Sequence, residues 1–197
     1  MIGAKFKILI GSIGMLFPTL FLFSQPNPCS GLEPIHIVVM GSSTAAGAGA
    51  STSDSAWVNR YRAHLQGINP ANSLTNIARG GYNTYHLMPT GFVPPPGKPD
   101  PDTIRNITQA LSLQPDAIII NLPSNDAGTG NPPAIQLFNF DSMLSVANQF
   151  EVPVWICTTQ PRNYGNPGTI QIQLDMRDSI WVHYSPMVLD FWTGLED

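Results

Sequence analysis

The sequence predicts one α/β domain, a parallel sheet with helices on both faces. Two patterns predict it. Short runs rich in β-branched residues alternate five times with segments of helical periodicity, and the connections are long enough for right-handed crossovers. After residue 30 there is neither an internal repeat nor a second zone of composition, so the alternation belongs to a single unit.

The elements follow in order. Residues 35–40 form a β-branched run that ends at Gly41 and reads as a buried strand. Asp54 and Ser55 offer a helix N-cap. Trp57, Val58, Tyr61 and Leu65 follow at helical spacing, and Gly67 closes the segment. Residues 73–77 read as a second strand. Residues 89–102 hold six prolines and form an irregular surface loop. Asp102 or Thr103 caps a helix running to about Leu113, with Ile104, Ile107 and Leu111 on one face. Residues 117–121 are the strongest strand of the chain. A helix near 135–149, a strand over 152–158, a helix from 170 to about 182 and a strand over 187–190 complete the series.

The chain has 197 residues and is 43% hydrophobic with four Trp, which suffices for a core although only 11% of it is charged. Its Pro and Gly have no period, which excludes a collagen-like fibre. The net charge is −4 and there is no run of Lys or Arg, which argues against a nucleic-acid partner or an anionic membrane footprint. Lys5 and Lys7 precede an apolar run over residues 8–23, the pattern of a secretory signal peptide cut near Ser24. The run contains Pro18 and is short for a spanning helix. The expected organisation is a signal peptide over residues 1–24, a short linker over 25–34 and one domain over 35–197. The protein is expected to be exported to the periplasm or the medium, without stable membrane insertion after cleavage. Export permits a disulfide between Cys29 and Cys157, but Cys157 lies in a strand-like run and reads better as a buried thiol.

In a parallel α/β sheet, function sits at the carboxyl ends of the strands. Three of those ends carry unusual residues: Gly41 to Gly47 after the first strand, Asn76 to Thr84 after the second, and Asn121 to Asp126 after the third. Small hydroxyl, glycine and amide residues therefore converge on one edge. A serine nucleophile needs a tight, exposed turn with small neighbours, and acyl transfer needs donors aimed at the developing oxyanion. A glycine N–H and an asparagine amide are suitable donors, and here each comes from a different strand end.

These blocks resemble those of the SGNH/GDSL hydrolases, a family of serine esterases and lipases. The family's Gly-Asp-Ser-Leu block falls on Gly41, Ser42, Ser43 and Thr44, which places Ser43 on the nucleophile and its backbone N–H on one oxyanion donor. Ser42 and Thr44 depart from the usual Asp and Leu. The second block's glycine donor falls on Gly81, with Gly80 as the alternative register. The Gly-x-Asn-Asp block falls on Pro123, Ser124, Asn125 and Asp126, with Asn125 as the amide donor and Asp126 read as structural. The resemblance implies a three-layer α/β/α sandwich with a five-stranded, flavodoxin-like parallel sheet, and it runs from about residue 35 to the end. It also implies a small-molecule or polysaccharide ester substrate, an acetylated carbohydrate or a lipid ester, and no cofactor.

The family's last block, Asp-x-x-His, supplies the general base and the Asp that orients it. It occurs nowhere in the 197 residues, nor does the C-terminal helix that accompanies it. The chain is accordingly expected to be a truncated copy of a longer enzyme, inactive or weakly active alone. A non-catalytic glycan-binding module and a non-functional gene remnant are the alternatives. Of the histidines, His36, His64 and His183 read as structural or solvent-facing. His86 follows the second block and is weighed between the site edge and a structural role, with the structural role favoured. No two histidines have metal-ligand spacing, so no metal is expected. The glycines at 41–49 do not form a phosphate-binding fingerprint. Asn106, Ile107 and Thr108 make a formal glycosylation sequon inside a helix.

Overall fold

The computed structural model describes residues 33–122 and 124–195. The expected signal peptide, Cys29 and Pro123 lie outside the described residues. Five strands, β1 (His36–Gly41), β2 (Ser73–Asn76), β3 (Ala117–Asn121), β4 (Val154–Cys157) and β5 (Val188–Leu189), form one sheet in the order β2-β1-β3-β4-β5. Every pairing is parallel. The chain steps outward from β1 to β2, returns across β1 to β3, and then continues in one direction. That reversal leaves a crevice between the carboxyl ends of β1 and β3, where open α/β sheets bind their ligands.

Alternating side chains on each strand feed two cores. Ile37, Val39, Leu74 and Ile119 meet Val58 and Leu65 of α1 (Trp57–Ile68) on one face. Val38, Met40, Ile118, Ile120 and Ile156 meet three helices on the other: α2 (Ile107–Ser112), α4 (Pro133–Asn148) and α5 (Pro167–Tyr184). The expected α/β/α sandwich is therefore present. Over β3 to β5, the α1 side is an open apolar groove of about 410 Å³ that Tyr61, Ile119, Trp155 and Leu189 help to line.

The strand expectations hold to within a residue or two. Helix starts shift, because local caps compete. Thr52 caps a 3-10 turn over Ser53–Ser55, and α1 begins only after Ala56, with no side-chain cap from Asp54 or Ser55. Gly67 does not end α1, which continues to Ile68. The true cap of α2 is Asn106, whose Oδ1 accepts from Gln109 N at 3.0 Å. Asp102 instead accepts from Ile104 N at 3.0 Å and holds a turn, which leaves Ile104 66% exposed rather than on the buried face. Asn106 is fully buried, with its amide on Thr90 Oγ1 at 2.9 Å, so the folded chain presents no acceptor at the sequon. Two short elements carry no periodic signal: a 3-10 turn over Thr84–Leu87 and α3 (Asn125–Gly128).

One position fixes the crevice. Gly41 has φ +152°, and a Cβ there would sit 2.1 Å from the Asn121 carbonyl oxygen. Without that atom β1 closes onto β3, and Ser42 N donates to Asn121 O at 3.0 Å. Replacing Gly41 by alanine is expected to cost on the order of 3 kcal/mol or more. Urea unfolding reads this as a lower midpoint, and an unchanged midpoint contradicts it.

Candidate active site

The crevice collects all three blocks. Ser43 follows β1 in a partly exposed turn closed by Ala46 N to Ser42 O (2.9 Å) and Ala48 N to Ser43 O (2.8 Å). Across from it, Arg79 N donates to Gly41 O at 3.1 Å, which seats the second block over the end of β1. Gly80 and Gly81 are the central pair of a turn closed by Tyr82 N to Arg79 O at 3.4 Å. Gly81 has φ +87°, the conformation a type II turn demands of its third residue. Gly80 lies against the Ser43 turn, and a Cβ there would be 3.8 Å from that of Ser43. Backbone geometry thus requires glycine at 81, and proximity places 80 beside Ser43. Among the described residues, the backbone N–H groups of Ser43 and Gly81 have no hydrogen-bond acceptor.

Asn125 opens α3 and projects its carboxamide between the other two blocks. Its Nδ2 donates to Ser42 Oγ at 2.6 Å and to the Tyr82 carbonyl at 2.8 Å. Ser42 is fully buried. Sequence reading missed the role of Ser42, which is to hold the amide of Asn125 from 83 positions away. The signal was its departure from the family's Asp: a position that accepts from an amide tolerates either a hydroxyl or a carboxylate.

Asp126 is the structural anchor expected of it. It is 2% exposed, and its carboxyl accepts from Thr84 N (2.9 Å), Thr84 Oγ1 (2.7 Å) and Asn131 Nδ2 (2.9 Å). Burial pushes this carboxyl above the usual range, against the pull of those three donors. Asn139 Nδ2 adds a bond to Thr84 Oγ1 at 2.7 Å, which ties the network to α4. The Lys98 ammonium donates to Asn131 Oδ1 and lies 5.7 Å from the centre of the Tyr85 ring, so the proline-rich loop is pinned to the same network.

His86 is occupied in the turn it caps. Its ring stacks on Tyr82 (4.4 Å between centroids, 6° between planes), and Nδ1 contacts Asn83 Oδ1 at 2.9 Å. Burial lowers its pKa, which favours the neutral ring. No hydrogen bond joins Ser43 to a histidine among the described residues. Cys157 is a buried thiol, pushed up to about 12 by burial, so it is not a thiolate nucleophile at neutral pH. Thr44 Oγ1 donates to Gln160 Oε1 at 2.7 Å and so ties the Ser43 turn to the loop after β4.

Two outcomes test this framework. Asp126→Ala strands three buried donors and is expected to cost about 3 kcal/mol of unfolding free energy, measured by denaturant titration. Ser42→Ala is expected to free the Asn125 carboxamide while the fold persists. Side-chain amide NMR then shows faster proton exchange at Asn125, and Ser42→Thr, which keeps the hydroxyl, restores the protection.

Comparison with known proteins comes from two directions. The model described as the GDSL-like Lipase/Acylhydrolase family matches residues 39–179. No curated protein matches the chain. Solved structures share its fold at low identity. The psychrotrophic esterase EstA from Pseudoalteromonas sp., in a structure inhibited by monoethylphosphonate, aligns with a TM-score of 0.56 and 13% identity, over 80% of this chain and 77% of EstA. The acetyl xylan esterase AlAXEase aligns with a TM-score of 0.58 and 14% identity, over 80% of this chain and 77% of that one. A two-domain esterase active on acetylated mannans aligns with a TM-score of 0.54 and 17% identity, over 82% of this chain and 39% of its own. The family match runs from within β1 into α5 and takes in all three converging blocks, and the chain belongs to the GDSL-like lipase/acylhydrolase family.

Proposed function

We propose that this chain is the core of an exported serine esterase that cleaves small acyl groups, acetyl foremost, from a carbohydrate or lipid ester. The observation that supports the reading is the meeting of the three blocks: Gly80 lies beside Ser43, Asn125 donates to the neighbouring Ser42, and among the described residues the backbone N–H groups of Ser43 and Gly81 have no acceptor. Ser43 Oγ attacks the ester carbonyl carbon, and the carbonyl oxygen becomes an oxyanion within reach of those donors. Both N–H bonds of Asn125 are engaged in the free chain. An oxyanion is a stronger acceptor than the neutral Tyr82 carbonyl, so it draws one of them away as charge develops. The Ser42 bond holds the amide in place through the exchange. Each such donor contributes about a hundredfold or more to the chemical step.

The proton of Ser43 needs a base, and the Asp-x-x-His block that supplies one in the family is absent from the sequence. An oxyanion hole without its base retains residual catalysis of about a thousandfold over water. The chain alone is therefore a weak esterase. The basic and apolar pattern over residues 5–23 supports export, and among the described residues no helix is long and apolar enough to cross a membrane. The proline-rich loop, pinned through Lys98 beside Asn131, borders the substrate groove in this reading.

Hydrolysis of 4-nitrophenyl acetate tests it. Slow turnover is expected from the full chain, with loss of at least about tenfold in Ser43→Ala and in Asn125→Ala. Added imidazole is expected to raise the part of the rate that depends on Ser43. A rate equal in the chain and in Ser43→Ala sinks the esterase reading. Retained binding of an acetylated oligosaccharide would then favour a glycan-binding module, which the missing base block also suits.

A further inference from the structure

The loop after β4 carries two residues that clasp the start of α3. The Tyr164 hydroxyl donates to the Ser124 carbonyl, and its ring lies against Gly128, where a Cβ would come within 3.3 Å of Cε1. Tyr164 in turn is a platform for Arg162, whose guanidinium carbon is 4.9 Å from the ring centre. Arg162 Nη1 reaches Ser124 Oγ at 3.5 Å, and the side chain is otherwise open to solvent. The guanidinium is thus held against Ser124, one residue from Asn125.

Unlike Arg79 and Arg177, Arg162 has no counter-ion among the described residues. Arg79, on the Tyr82 side of Asn125, has the Asp102 carboxylate at 4.0 Å, and Arg177 has that of Asp178 at 2.7 Å. Arg105 and Arg62 donate to the backbone carbonyls of Ile77 and Leu74. Among the described residues, no carboxylate lies within 4.0 Å of Arg162, and its polar contacts are with neutral groups, the Ser124 hydroxyl at 3.5 Å and the Tyr164 side chain. Most of its N–H donors remain unspent. They are oriented by a stacked ring rather than left on a free side chain, and the guanidinium fork matches a carboxylate in two parallel bonds.

We propose that Arg162 is a substrate subsite that binds a carboxylate carried by the ester, so that the preferred substrates are acidic, such as the acetyl ester of a sugar acid. The proposal rests on the esterase reading for the position of the ester, but its test does not need turnover. Binding of two amide isosteres to the full chain is compared by NMR titration: 4-acetamidobenzoate, which carries the carboxylate, and acetanilide, which does not. The carboxylate compound is expected to bind about tenfold more tightly. Arg162→Gln is expected to remove that preference without changing the affinity for acetanilide. Arg162→Lys, a point charge without the fork, keeps only part of it, and added salt shrinks it. The corresponding sulfonate, 4-acetamidobenzenesulfonate, separates carboxylate recognition from attraction to any anion and is expected to bind less well.

Equal affinity for the first two probes, undetectable binding of both, or a preference that survives Arg162→Gln overturns the subsite. A sulfonate bound as tightly as the carboxylate overturns its carboxylate specificity. Hydrolysis of 4-nitrophenyl acetate is read in parallel. Its independence of Ser43 with the carboxylate preference intact strikes the esterase reading alone, and Ser43-dependent hydrolysis with no preference strikes the subsite alone.

Discussion

The close approach of β1 to β3 at Gly41 is the contact on which the rest of the site depends. Strands in a sheet normally lie at the spacing their backbone hydrogen bonds set, with side chains projecting from the two faces. Here, at the crevice, one strand ends in a residue without a side chain, and its neighbour's carbonyl occupies the space a Cβ would need. The gain is positional: Ser42 N bonds to the end of β3, so Ser43 leaves the sheet at a point set by two strands rather than one. The hydroxyl of Ser42 is thereby buried where the α3 amide can reach it. The Ser43 turn and the Asn125 block are thus joined by the Ser42–Asn121 backbone bond and the Asn125–Ser42 side-chain bond.

Around that frame the protein accepts a costly arrangement. A carboxyl group, Asp126, is placed almost wholly out of water, where desolvation disfavours its charge. Three donors on two segments offset that cost, and their convergence draws the 3-10 turn at Thr84–Leu87, α3 and the loop before α4 into one body. A buried polar cluster of this kind is stable only when its members are matched. It gives loop-borne site residues the precision of a packed core. The Tyr164 contact on Ser124 extends the same body to the loop after β4.

The departures from the family pattern make physical sense in this setting. Ser for Asp at position 42 replaces a charged acceptor with a neutral one, so the Asn125 amide is held without a buried charge. Thr at 44 makes a hydrogen bond to Gln160, which ties the Ser43 turn to the loop after β4. Neither change alters the groups that would face a substrate.

Much of the fold was legible because it depends on local pattern. The β-branched runs at 35–40 and 117–121 are buried on both faces over residues 37–40 and 118–121, so they read as strands without reference to anything else. Helix ends were less legible, since Asp102 and Asn106 are equally good caps in isolation and only the turn at Ile104 separates them. The chemistry of the candidate site was visible as residue types following strands: Ser43, Gly81 and Asn125. Their arrangement was not. The two bonds that the Asn125 amide donates, to Ser42 and to Tyr82, join segments more than forty positions apart, and so does the grip of Thr84 on Asp126. The sequence by itself determined the parallel α/β class and the chemical groups available at its edge, because periodicity and side-chain chemistry are properties of neighbouring residues. Only the tertiary structure decided which donor meets which acceptor, because hydrogen bonds form across space and depend on how closely β1 and β3 can approach.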